Sequence, residues 1–156
     1  MVRTLVVLRH AKSDWSHDVP DDQRPLNARG RHEAPLAGTW IAGHVGAVGL
    51  VICSTAVRAR ETLRRSGLTA DEVRHDERVY AATPGELMSV LDEVPDEVAT
   101  VALVGHNPGL SELVGVLTGE PVELKTSAVA VVAWEGGWAD VWGRGANLVS
   151  HATPRG

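Results

Sequence analysis

Short apolar runs alternate with longer stretches of helical periodicity along this chain. "RTLVVLR" at residues 3–9 has almost no polar positions among its central residues, which predicts a strand buried on both faces. A polar loop dense in Asp and Pro follows through "SHDVPDDQRPLN". From Ala28 to Val45, the residues Ala34, Leu36, Ala37, Trp40, Ile41 and Val45 recur at helical spacing, with Asn27 placed as the N-cap. "GLVICS" predicts a second buried strand ending at Ser54. A helix from Ala56 to Arg65 comes next, stopped by Ser66-Gly67. "EVRHDERVYAATP" reads as irregular, with a short strand near Val73. "PGELMSVLDEV" is a short helix opened by Pro84, "TVALVGH" a third strong strand, and "PGLSELVGVLTG" the helix behind it, again with a proline in its first turn. The stretch "AVAVVAWEGGWADVWGR" predicts two strands around a Gly136-Gly137 turn.

Strands separated by helices predict an α/β fold, a three-layer α/β/α sandwich with a mostly parallel central sheet and an antiparallel hairpin at its C-terminal end. A chain of 156 residues fits one domain, residues 1–156, without an inter-domain linker or repeat. Its apolar runs are strand-sized, and Arg9 and His10 interrupt the first of them, which argues against both a membrane span and a signal peptide. The single cysteine, Cys53, forbids an internal disulfide and any multi-cysteine metal site, consistent with residence in the cytoplasm. A net charge of −5 argues against a nucleic-acid binder, although a local basic pocket remains compatible with it.

In open α/β sheets, ligands bind beyond the carboxyl ends of the strands. The first strand here ends in Arg9-His10, the second leads through "CSTAVRARET" to Arg58, and the third ends at His106 in "VGHNPGL". Each residue alone has an ordinary reading: a solvated strand end, a capping histidine, one arginine on a charged helix face bearing a Glu61–Arg65 pair. Their shared placement at three strand ends is the stronger observation. Two arginines and two histidines in one volume call for an anion, and the arginine fork matches phosphate oxygens in bidentate fashion. Helix N-termini after Ser54 and Asn107 add backbone donors.

"LRHAKSDW", "STAVRARET" and "VGHNPGL", in that order, resemble the motifs of the histidine phosphatase superfamily, most closely those of its SixA-type phosphohistidine phosphatases; "PLNARGRHEAPLAG" resembles the entry to that family's first helix. The resemblance implies a phosphoglycerate-mutase-like fold without a large cap insertion, and a phosphatase that needs neither metal nor cofactor. His10 would be the nucleophile, passing through a covalent phosphohistidine. Arg9, Arg58, His106 and Ser13 would hold the phosphoryl oxygens. Ser16 stands where many relatives have an asparagine, so no phosphate contact is carried to it. Ala81 aligns with the position at which mutase-like relatives hold a carboxylic acid, while Asp76 and Glu77 lie close by in a polar loop. Without that acid, an alkoxide leaves poorly and a phosphoramidate P–N bond is the better target.

The substrate implied is therefore phosphohistidine on a partner protein, with inorganic phosphate as product. Two other readings compete: a phosphomonoesterase or mutase acting on small phosphorylated metabolites, and a non-catalytic phospho-ligand binding module. Neither nucleic acid nor membrane enters as a partner. Lys12 and Asp14 are expected in surface salt bridges, Trp15 at a rim or in the core, and Cys53 as inert packing.

Overall fold

The structure, a computed structural model, describes residues 1–143 and 145–155. Six strands form one sheet: β1 (Val2–Arg9), β2 (Val48–Cys53), β3 (Ala70–His75), β4 (Thr100–Gly105), β5 (Val129–Glu135) and β6 (Asn147–Ala152), in the spatial order β3-β2-β4-β1-β5-β6. Neighbours pair in parallel except at β5, which runs antiparallel to both β1 and β6. The helices are α1 (Ala28–His44), α2 (Val57–Ser66), α3 (Pro84–Asp92) and α4 (Gly109–Thr118).

Period-two alternation in the central strands feeds two separate cores. Leu5, Val7, Ile52 and Leu103 face α3 and α4, packing on Leu87, Leu91, Leu110 and Leu113. Val6, Leu8, Val51 and Val104 face the opposite way and pack on Ala37 and Ile41 of α1 and Leu63 of α2. Leu5 to Leu8 are wholly buried because each face of β1 has its own helical layer, which is why the run contains no polar position. Removing such a leucine side chain to alanine costs about 2–5 kcal/mol.

Local signals placed the helix ends well. Asn27 caps α1 by accepting from Gly30 N, Thr83 and Glu86 form a reciprocal capping box on α3, and Gly67 closes α2 at φ 70°. Helix α4 starts at Gly109, with Pro108 outside its first turn rather than inside it. The strand expected near Val73 is the six-residue edge strand β3. Its charged, largely exposed side chains carry no apolar alternation because only one neighbour covers it.

The C-terminal hairpin is present but differs from the expected one. Its second strand is β6, while "WADVWG" forms a 3₁₀ turn over Trp138–Gly143; Arg144, the last residue of the expected strand, lies outside the described residues. Trp138 and Val141 are three apart, the period of a 3₁₀ turn, so both point inward and are buried. The Trp138 indole donates to Val98 O at 2.8 Å and meets Trp134 edge-on at 5.0 Å. Gly136 does not turn the chain into a strand; its N–H donates to Met1 O.

Candidate active site

The carboxyl ends of β1, β2 and β4 are held level by the sheet and by bonds just past it. Arg9 N donates to Ala128 O, His10 N to Gly105 O, Ser54 N to Val104 O and Ser127 N to His10 O, all at 3.0–3.1 Å. The peptides carrying the Arg-His pair are thereby pinned between β4 and the approach to β5. Helix α2 fixes the next residue: Thr62 Oγ1 accepts from Ala11 N at 2.9 Å and donates to Arg58 O at 2.7 Å. Helix α1 closes in from the other side, where a Cβ on Gly30 would stand 2.1 Å from Lys12 O, so only glycine fits.

These constraints converge on a pocket of ≈ 200 Å³ lined by Arg9, His10, Lys12, Ser13, Trp15, Arg24, Arg58, His106, Asn107 and Thr126. All five residues nominated from the sequence are therefore together. His10, Ser13, Arg58 and His106 are buried, and Arg9 is half-buried. The two imidazoles lie 5.2 Å apart, centroid to centroid.

The proton positions on both rings follow from their partners. His10 Nδ1 lies 2.7 Å from Ala11 O. A carbonyl only accepts, so Nδ1 carries the hydrogen and Nε2 presents its lone pair. Arg58 Nε points at that nitrogen from 3.4 Å. For His106, Nε2 meets Ser54 Oγ at 2.7 Å, and Ser54 Oγ already accepts from Ala56 N. The wholly buried Ser54 hydroxyl then donates to Nε2, leaving the hydrogen of His106 on Nδ1, which has no partner among the described residues. Both rings are neutral. Burial above all, with His106 and Arg58 nearby, pushes His10 down to about 3. Burial and then Arg58 push His106 down to about 4.

The cations are partly engaged. Arg58 donates through Nη1 to the Asp21 backbone carbonyl at 2.6 Å and through Nη2 to its carboxylate at 3.0 Å. Tyr80 donates its hydroxyl to the same carboxylate at 2.5 Å, and Arg24 adds a third donor; the Tyr80 bond first, then Arg58, hold Asp21 down at about 2. Arg24 also donates to Ser13 Oγ at 2.5 Å, which leaves the Ser13 O–H free to point elsewhere. Arg9 uses one prong on Leu124 O, and its buried Nε has no partner among the described residues. Unfilled guanidinium donors, a hydroxyl proton and an imidazole N–H can receive a tetrahedral oxyanion beside one imidazole lone pair.

Among the described residues, no carboxylate lines this pocket. Asp76 is committed to Arg78, accepting from its side chain at 2.7–3.2 Å and from its backbone N–H at 2.9 Å, and Glu77 does not reach the pocket. Ala81, with no carboxyl to offer, has φ 54°. It walls an adjoining cavity of ≈ 280 Å³ with His106, Asn107 and the exposed Glu112. Among the described residues, no three His, Cys, Asp or Glu side chains stand close enough to hold a metal ion, and no helix is long and apolar enough to cross a membrane. Lys12, expected in a surface salt bridge, instead lines the pocket, with no ion pair among the described residues; Asp14 pairs with His17 as expected of a surface acid. Cys53 is packed in β2, its thiol pushed up to about 12 by burial.

Asp21, Arg24, Tyr80 and Ser54 escaped sequence reasoning. Asp21 and Arg24 sit in an aperiodic loop and Tyr80 after a 3₁₀ turn. The one available signal was an arginine, Arg24, in a loop otherwise dominated by acids.

The model of the histidine phosphatase superfamily (branch 1) matches residues 5–97. An uncharacterized protein of Mycobacterium tuberculosis is 42% identical over 159 residues, spanning 95% of this chain and 100% of its own. Phosphohistidine phosphatase SixA of Escherichia coli is 31% identical over 136 residues, spanning 82% of this chain and 83% of its own. A solved structure named for phosphohistidine phosphatase SixA, from Nakamurella multipartitia, superposes with a TM-score of 0.92 at 33% identity, covering 99% of this chain and 97% of its own.

Proposed function

Because the chain belongs to the histidine phosphatase superfamily, branch 1, we propose that it removes a phosphoryl group through a covalent intermediate on His10, and that its substrate is phosphohistidine on a partner protein. The observation that carries this reading is the His10 ring itself. Nδ1 is tied to Ala11 O, the ring is neutral, and the Nε2 lone pair accepts only a long contact, 3.4 Å, from the Arg58 guanidinium inside the pocket.

Nε2 attacks phosphorus in line and the P–N bond to the substrate imidazole breaks; that ring, protonated on its other nitrogen, leaves neutral with the bonding pair on the nitrogen that held phosphorus. Water then attacks the phosphoryl group on His10, the second P–N bond breaks, and inorganic phosphate leaves. Arg9 and Arg58 compensate the oxygen charge through both steps, with the Ser13 hydroxyl and His106 Nδ1–H as neutral donors. The steps invoke no metal and no cofactor. A pocket without a lining carboxylate favours a leaving group that departs readily once protonated, which imidazole does and a sugar alkoxide does not. The name of the Escherichia coli relative points to the same substrate class.

The test is trapping. Incubation with ³²P-labelled phosphoramidate, an alkaline quench that preserves phosphohistidine, and peptide mapping should place the label on His10, and His10→Ala should abolish both label and turnover. Tight phosphate binding with neither label nor turnover would instead identify a binding module and overturn the proposal.

A further inference from the structure

We propose that Trp15 is a stacking platform for a flat leaving group, so that the pocket selects phosphoryl donors whose leaving group is an aromatic ring, joined to phosphorus directly or through one oxygen. The inference rests on the reading of His10 as nucleophile and deepens it. In-line displacement requires the leaving atom to lie on the side of phosphorus away from Nε2. His10 is 6% exposed, at the inner end of the pocket, so the leaving group is directed outward, to the mouth. Trp15 walls the same pocket and is 73% exposed, far more than an indole without a surface role needs to be.

Its orientation is already set. The Arg24 guanidinium carbon lies 3.5 Å from the indole centroid, a cation–π contact on one ring face. Arg24 is buried and itself anchored by Ser13 Oγ and the Asp21 carboxylate, at 2.5 Å and 3.1 Å. With Arg24 anchored over one face and the residue 73% exposed, indole surface is left open at the pocket mouth. A ring arriving there meets a pre-oriented partner and loses little freedom in ordering it. Apart from the two histidines, whose ring nitrogens are engaged in or beside the reaction, the remaining lining side chains are cationic or small and polar, so among the described residues Trp15 is the only broad apolar surface lining the pocket. Imidazole and phenyl rings can use it; the ammonia of phosphoramidate cannot.

Selectivity is the readout, because it divides out effects common to every substrate. The ratio of kcat/KM for phenyl phosphate to that for phosphoramidate is measured in the wild-type chain and in Trp15→Ala, Trp15→Leu and Trp15→Phe. Aromatic pairing predicts a ratio about three- to tenfold lower in the alanine and leucine variants, with phenylalanine restoring it to within about twofold. A ratio in Trp15→Ala or Trp15→Leu equal to that of the wild type overturns the platform while leaving the phosphatase reading intact, provided His10 still takes the label. Wild-type turnover of neither substrate would remove the reading underneath, and the platform with it.

Discussion

The neutral, buried state of His10 has a consequence that equilibrium unfolding can measure. The ring titrates at about 3 in the folded chain against an ordinary 6.5. Below pH 6.5 the unfolded chain therefore takes up a proton that the folded chain refuses, and stability falls. The contribution is fully present above the unfolded value and is lost as pH drops from there towards about 3. Each unit of pH in that window costs about 1.4 kcal/mol, so acidification from about pH 7.5 to about pH 5 removes about 2 kcal/mol on account of His10. His106, held at about 4 by the same burial, adds a loss of the same sign.

Replacing His10 with glutamine removes one of these two titrations and leaves the carboxylates and His106 in place. Urea unfolding followed by circular dichroism at both pH values should show the wild type losing about 2 kcal/mol more than His10→Gln over that interval. Equal losses would mean that His10 is solvated or protonated in the folded chain, and the assignment of Nε2 as a free lone pair would fall with it. The same burial predicts that the acid limb of kcat/KM lies well below pH 6.5, because His10 remains competent there.

Thr62→Val leaves the buried Ala11 N–H without an acceptor and should cost about 1–3 kcal/mol by chemical unfolding, with a fall in kcat that Thr62→Ser largely restores. A silent Thr62→Val would mean that α2 does not set the His10 loop. Arg58→Lys exchanges a planar fork for a point charge, so kcat should drop on the order of 100-fold, with about 1–3 kcal/mol of stability lost alongside as the bonds to Asp21 go. Across phosphate esters of graded leaving-group basicity, rates should climb steeply as the leaving group becomes less basic. Comparable rates for alkyl and aryl esters would reveal a proton donor, with Glu112 of the adjoining cavity the first residue to replace by glutamine.

The central strands were legible in the sequence because burial on two faces strips a strand of polar residues, as in Leu5–Leu8 and Val101–Val104. Strand β3 was nearly invisible because an edge strand with an exposed, charged surface has no such constraint. The C-terminal segment misled because Trp138 and Val141 look like strand residues, whereas their spacing of three suits a short turn that plugs the end of the core. At the site, Arg9, His10, Arg58 and His106 could be found since parallel topology sends strand ends to one edge, whereas Ser13 came from the family resemblance alone. Asp21 and Tyr80 could not, because their place is set by hydrogen bonds between remote, aperiodic segments rather than by any local pattern.

The most direct measurement is the position of the phosphoryl group on the trapped imidazole. Nδ1 of His10 is spent on Ala11 O, so ³¹P NMR of the alkaline-quenched protein should report the Nε2-phosphorylated isomer on His10 alone. A phosphoryl group on Nδ1, or on any other side chain, would contradict the geometry from which the mechanism is built.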